Sequence, residues 1–367
     1  MTHKARMHAC YRGKPYDRLP LLVNMDHWYN VNTARGTIPT RYRGQRLWDI
    51  QRDLGVSIWQ RVGVLRLVGE AEGVIHRQEE TAKGIRHIWE TPHGPLTEEY
   101  TIAPDFTQAH FRTKWRVTSP QELRAAVYVL EGERWEVTDD AYRENLAGVG
   151  EDGIVLSSAA TDPVMCLLSH WMGVKHFSYA LADYPQEVEW ALEIITRKEL
   201  ERAAVAATSE CEFFQVGGNI TAQVVSPRLF ERWVMPFFRQ VTEILHRRGK
   251  IAQYHFDGWV GPLLPMIAES GLDCIEALTP KPSGDVTLEE AVQALGGKVM
   301  IQGGIPAALV THGFSEDEFT AYMRETIRVA RSGWVALGMG DNVPPDGDLS
   351  RVRRLVEMVE EHGRMSG

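Results

Sequence analysis

Short apolar runs alternate with amphipathic stretches along most of the chain. Eight runs, at residues 19–25, 56–62, 153–158, 212–217, 250–255, 272–278, 298–302 and 334–338, have the length of strands buried on both faces. Helical patterns separate most of them. Residues 45–54 precede the second run. Residues 185–206 carry Val188, Leu192, Ile195 and Leu200 at near-helical spacing, with Pro185 in the first turn. Ser226-Pro227 opens a helix to about Arg248, and Ser315 with Glu318 forms a capping box for a helix to about Arg331. Residues 285–295 read as a helix capped by Asp285 and stopped by Gly296-Gly297. Asp348 or Ser350 opens the last helix, which ends near His362-Gly363. Alternation repeated this often predicts an α/β fold, a single (β/α)8 TIM-type barrel spanning residues 1–367.

Residues 63–116 break the alternation. The runs 85–89 and 96–101 flank Thr91-Pro92-His93-Gly94-Pro95 and read as a hairpin. The expected fold is therefore a barrel with an N-terminal extension and an antiparallel β insertion (63–116) after strand two. Another helix is expected to start at Ser119-Pro120.

Composition narrows the function classes. Lys plus Arg is 40 against 49 Asp plus Glu, a net charge of −9, which argues against a nucleic-acid binder. No apolar run is long enough to span a membrane. Residues 1–18 are polar and basic, unlike a secretory signal. Cys10, Cys166, Cys211 and Cys274 are scattered, with neither a disulfide framework nor a C-x-x-C pair, so a reduced, cytoplasmic protein is expected. Neither G-x-G-x-x-G nor G-x-x-x-x-G-K-[ST] occurs, which lowers the dinucleotide and nucleoside-triphosphate readings.

In such a barrel the chemistry sits at the C-terminal strand ends. Tyr254-His255-Phe256-Asp257-Gly258 is the densest polar cluster, and the i, i+2 spacing lets His255 and Asp257 aim at one point. That suits a metal or a His–carboxylate acid/base pair, and equally a His merely oriented by its neighbour. Glu276 ends the next strand, with Cys274 on its own face, and could join the set or pair with Lys281. Asp26, His27 and Trp28 follow strand one, with Asp26 also readable as a helix cap. Asn219, Trp259, Asp341 and Asn342 complete the substrate-binding candidates, although Asp341 and Asn342 also suit a turn. Ser157 and Ser158 lack the G-x-S-x-G elbow and read as caps rather than nucleophiles.

Together several segments resemble the uroporphyrinogen decarboxylase-like superfamily, which includes corrinoid-dependent methyltransferases and demethylases. They are Lys14-Pro15-Tyr16-Asp17-Arg18-Leu19-Pro20, Glu90-Thr91-Pro92-His93-Gly94-Pro95-Leu96, Ser226-Pro227 before Phe230 and Pro236, His255-Phe256-Asp257-Gly258, residues 298–304 and Gly340-Asp341-Asn342-Val343-Pro344. The resemblance implies a single (β/α)8 barrel. The decarboxylases carry an Arg-Gln-Ala-Gly-Arg-like loop after strand one and an Asp near the end of strand two. Here the corresponding stretches read Asp26-His27-Trp28-Tyr29-Asn30 and Trp59-Gln60-Arg61. The methyltransferases commonly place zinc at H-x-C after strand five with a second Cys near strand eight. His255 matches that His, Asp257 stands at the Cys, and no Cys lies near 338–342. A carboxylate makes the site harder and less suited to zinc–thiol chemistry.

The resemblance thus implies a methyltransferase subunit of demethylase type. It would move a methyl group between a small methylated substrate, such as a methoxylated aromatic or a methylamine, and a corrinoid-binding partner protein. The chain lacks D-x-H-x-x-G, so the corrinoid would belong to the partner. His255, Asp257 and Glu276 would act as ligands of a divalent metal, zinc among the options, or as the acid that activates the leaving group. A homodimer is compatible with this reading, and neither nucleic acid nor membrane is an expected partner. The alternatives are a decarboxylase or other lyase that binds an acidic substrate with Arg35, Arg61 or Arg66, and a barrel that only binds a small ligand.

Overall fold

A computed structural model describes residues 1–82, 84–102 and 110–365. Eight parallel strands form the barrel: β1 (Leu21–Leu22), β2 (Ile58–Arg61), β3 (Gly153–Thr161), β4 (Phe213–Ile220), β5 (Ile251–Phe256), β6 (Cys274–Leu278), β7 (Met300–Ile305) and β8 (Val335–Met339). Their order is β1-β8-β7-β6-β5-β4-β3-β2. A parallel bridge between Leu22 and Ser57, with the Ser57 N–H donating to Leu21 O at 2.8 Å, joins the two ends of this sheet. The ring is therefore a TIM-type barrel, and each expected run overlaps one of its strands.

Most helices follow the sequence signals, but Ser157 and Ser158 lie inside β3, and Asp162 rather than either serine caps the turn that follows at Pro163. Ser226 caps at Pro227, Ser315 and Glu318 form a reciprocal box, and Asp348 caps the last helix, Leu349–His362. The helix expected from Asp285 instead starts at Leu288, with Thr287 as its cap and Glu290 completing the box. Asp285 accepts the N–H groups of Val260 and Gly261, tying the loop after β6 to the loop after β5. Apolar helix faces such as Val188, Leu192 and Ile195 of Pro185–Ala206 pack in the main core.

The antiparallel insertion is larger than 63–116. Ile75–Thr81, Gly84–Glu90, Leu96–Ile102 and His110–Lys114 form one sheet, with Ile85 opposite Tyr100 and Trp89 opposite Leu96 as the hairpin requires. After the helix Pro120–Gly132, residues Arg134–Val137 return to pair with Leu65–Gly69. This return strand is too short to stand out from the helix before it.

The N-terminal extension is structural. The helix His3–Tyr11 places Met7, Cys10 and Tyr11 against Leu22, Ile154, Phe213, Ile251 and Met300, the inward residues near the strand starts. Tyr11 is 1% exposed and packs edge-on to Phe213, with ring centroids 5.1 Å apart. Its hydroxyl lies between the side-chain amides of Gln253 and Gln302, at 2.8 and 2.5 Å. The helix thus plugs the bottom of the barrel. Replacing this plug by a smaller side chain leaves a cavity and unpaired amides. Tyr11→Ala is expected to cost about 3–5 kcal/mol in a urea unfolding curve, and Tyr11→Phe only about 1.

Candidate active site

The strand ends open onto a cavity of about 1010 Å³ at the C-terminal face. Its lining includes Asn24, Asp26, His27, Arg61, Asn219, His255, Asp257, Glu276, Asp341 and Asn342, from six of the eight strands or the loops that follow them. This size suits a small ligand.

Register brings the central residues together. His255 pairs with Glu276 across β5 and β6, so two side chains 21 positions apart stand at one level. The His255 Nδ1 lies 2.6 Å from Glu276 Oε2. On the other edge of the ring, Nε2 lies 3.6 Å from Asp257 Oδ2. A glycine bulge in β4 supplies the third neighbour. The register against β5 slips between Val216 and Asn219, which places Asn219 opposite His255. There the Asn219 Nδ2–H donates to Asp257 Oδ2 at 3.2 Å. Gly218 makes the bulge possible: its φ is +131°, and a Cβ would collide with Tyr254 Oη and Asp162 Oδ2. Behind it the buried Tyr254 hydroxyl donates to Asp162, which also accepts the Met165 N–H at 2.9 Å. Burial pushes the Asp162 carboxyl up to about 7.

The electrostatics follow from this placement. Burial of His255 favours the neutral ring, but the Glu276 carboxylate and the Asp257 contact outweigh it and lift the imidazole to about 10. His255 is therefore an imidazolium at neutral pH. The same contact with His255 holds Asp257 below the usual carboxylate range. Glu276 is 4% exposed, whereas Asp257 faces the cavity more openly. Nδ1–H is committed to Glu276, and Nε2–H faces Asp257 at a distance too long for a good hydrogen bond. A ligand oxygen entering the cavity could take that proton.

The three side chains converge, but not on one point. Glu276 and Asp257 occupy opposite edges of the imidazole, so one ion cannot take both carboxylates together with a ring nitrogen. Among the described residues no group of three or more His, Cys, Asp or Glu side chains is arranged to hold a metal ion. As placed, the three side chains do not surround one ion, and the three-ligand expectation does not fit this geometry.

The other candidates divide. Asp26 lines the cavity, and burial raises its carboxyl against the opposing charge of Arg61. It is the first residue of a helix, Asp26–Arg35, rather than its cap; its N–H donates to Asn24 Oδ1. His27 and Asn342 are linked, the His27 N–H donating to Asn342 Oδ1 at 3.3 Å, while Asp341 accepts the Asn342 N–H. Trp28 is 3% exposed in the core and does not line the cavity. Trp259 is 50% exposed outside it, its N–H donating to Thr221. Both follow strand ends, but the helix after β1 turns Trp28 inward, and the loop after β5 carries Trp259 away. Arg202 and Trp135 line the cavity without having stood out in the sequence. Neither lies at a barrel strand end. The available signal was the charged pair Glu199 and Arg202 interrupting a buried helix face.

With this geometry in place, the chain can be compared with known proteins. A methyltransferase from Methanosarcina mazei has the same fold, with a TM-score of 0.62 at 17% identity over 98% of this chain and 99% of that one. A uroporphyrinogen decarboxylase of Arthrobacter sp. (strain FB24) is 30% identical over 132 residues, which span 35% of this chain and 36% of that protein. The family model described as uroporphyrinogen decarboxylase (URO-D) matches residues 151–362, from the start of β3 to the end of the last helix. That match covers more than half of the sequence, and the chain belongs to the uroporphyrinogen decarboxylase family.

Proposed function

We propose that the chain is the substrate-handling component of a methyl transfer. It takes a methyl group from a small methylated substrate and passes it to a corrinoid carried by a partner protein. The observation that carries this reading is the His255 imidazolium held between Glu276 and Asp257 at an open cavity. A whole-length fold likeness to a methyltransferase supports it. Breaking a C–O bond by methyl transfer leaves an electron pair on oxygen, and an acid beside that oxygen lowers the barrier.

A cobalt(I) corrinoid supplies the nucleophile for the methyl carbon. In this reading the substrate occupies the cavity and the partner protein brings the corrinoid to its mouth. The residues of this chain do the rest. Glu276 fixes the imidazole and keeps it protonated. His255 Nε2–H faces the leaving oxygen and gives up its proton as the methyl–oxygen bond breaks. Asp257, held by Asn219, steadies the imidazolium before transfer, and His255 regains its proton from solvent at the mouth.

The family relationship also keeps a decarboxylase reading open, in which His255 would protonate the carbanion left by loss of CO₂. An anaerobic assay separates the two. Methyl transfer predicts consumption of added cob(I)alamin with methoxylated aromatics or methylamines and no CO₂ release. Decarboxylation predicts the reverse.

A further inference from the structure

The proposed reaction uses His255, Glu276, Asp257 and Asn219, and leaves a buried polar pair directly behind them without a role. Asp162, the first residue after β3, and Tyr254 of β5 are both 0% exposed. A carboxyl group there is costly, because an apolar pair of similar volume would join the strands without desolvating it. The pair ties three strands together at one level. The Asp162 N–H donates to Gly217 O of β4 at 3.3 Å. Its carboxyl oxygens accept the Tyr254 hydroxyl from β5 and, at 2.9 Å, the Met165 N–H of the turn after β3. The Tyr254 ring is itself fixed by Phe238 and Phe256, each with its centroid 4.8 Å away.

What this pair touches is the part of the site with least conformation of its own. Gly217-Gly218 lies within β4, and successive glycines impose little backbone preference. The register of β4 slips here on both sides, against β3 between Gln215 and Val216 and against β5 between Val216 and Asn219. Tyr254 Oη and Asp162 Oδ2 fill the space where a side chain on Gly218 would stand. Packing against these two oxygens therefore selects the bulge that the glycines only permit. The next residue is Asn219, whose amide holds Asp257.

We infer that Asp162 and Tyr254 are positioning residues: their hydrogen bond sets the Gly217-Gly218 bulge, which keeps Asn219 on Asp257 and Asp257 beside His255 Nε2. This placement stands on the geometry alone, whereas its effect on rate rests on the methyl-transfer reading.

Two-dimensional 1H–15N spectra of the Asn219 side-chain amide test the placement. Its peaks are identified by their loss in Asn219→Ser, and Asp257→Ala gives their position without the Asp257 bond. Tyr254→Phe removes one oxygen and keeps the ring packing, so the fold is expected to survive. In that variant the Asn219 peaks should move towards their Asp257→Ala position. Tyr11→Phe loses a hydroxyl at the opposite end of the barrel and should leave them in place. In methyl transfer to cob(I)alamin, Tyr254→Phe should lower kcat about 10- to 100-fold with KM within about twofold, as misplaced catalytic groups do. Adding Asn219→Ala should lower kcat no further, because both changes break one chain of contacts. Unmoved Asn219 peaks in folded Tyr254→Phe would overturn the inference, as would additive losses in the double variant. Should Tyr254→Phe not fold, Asp162→Ala breaks the same bond from the other side and is judged by the same peaks. Moved peaks in a protein whose wild type transfers no methyl group would remove the methyl-transfer reading and keep the placement.

Discussion

His255→Gln is expected to slow methyl transfer to cob(I)alamin by about 10²- to 10⁴-fold, the range a positioned general acid supplies. Glutamine can still donate to Glu276, so the buried carboxylate keeps a partner and the fold should survive, as far-UV circular dichroism would show. Because the proton is needed only as the bond breaks, kcat and kcat/KM should fall together while substrate affinity changes little. His255→Ala should be equally inactive but less stable, since it leaves Glu276 buried without a donor. Wild-type rates in either folded variant would remove the acid role.

Glu276→Gln should act through the pH profile. Glu276 is the strongest influence raising the His255 imidazole, and that influence disappears with the charge. In the wild type the imidazole titrates near 10, so activity should hold through neutral pH and decline as the imidazolium is lost on approach to 10. In Glu276→Gln the alkaline limb should move down by about one to three pH units, the usual effect of a neighbouring opposite charge. The stability linkage has the same sign. The folded-state value lies above the ordinary histidine value of 6.5, so this contribution is complete below 6.5 and is lost as pH rises through about 10. Glu276→Gln should flatten that dependence in denaturation curves collected from pH 6 to 10. An unmoved limb would mean that Glu276 does not set the protonation of His255.

Much of the fold could be read from the sequence because a parallel barrel writes itself as short apolar runs. The site was legible in part for the same reason. His255, Asp257, Glu276 and Asn219 all stand at strand ends, where barrel chemistry is expected. What the linear pattern could not provide is register. The pairing of His255 with Glu276 depends on how β5 and β6 slide against each other, and Asn219 reaches its place only through the Gly217-Gly218 bulge. Three ligands around one ion and an imidazole clamped on both edges have the same sequence. Trp28 and Trp259 show the limit of arguing from strand ends alone, since the direction of the following segment decided both. The plug helix was hidden because its buried face includes Arg6 and Cys10 beside Met7 and Tyr11, a mixture without a clear apolar stripe. Arg202 was hidden on a helix that otherwise reads as packing.

The most direct measurement is anaerobic incubation of the protein with 4-methoxybenzoate and cob(I)alamin, followed by absorbance and product chromatography. Methyl transfer predicts loss of the cob(I)alamin spectrum, matched mole for mole by 4-hydroxybenzoate, in the wild type and not in His255→Gln. An unchanged spectrum across methoxylated aromatics and methylamines, together with CO₂ release from an acidic substrate, would contradict it.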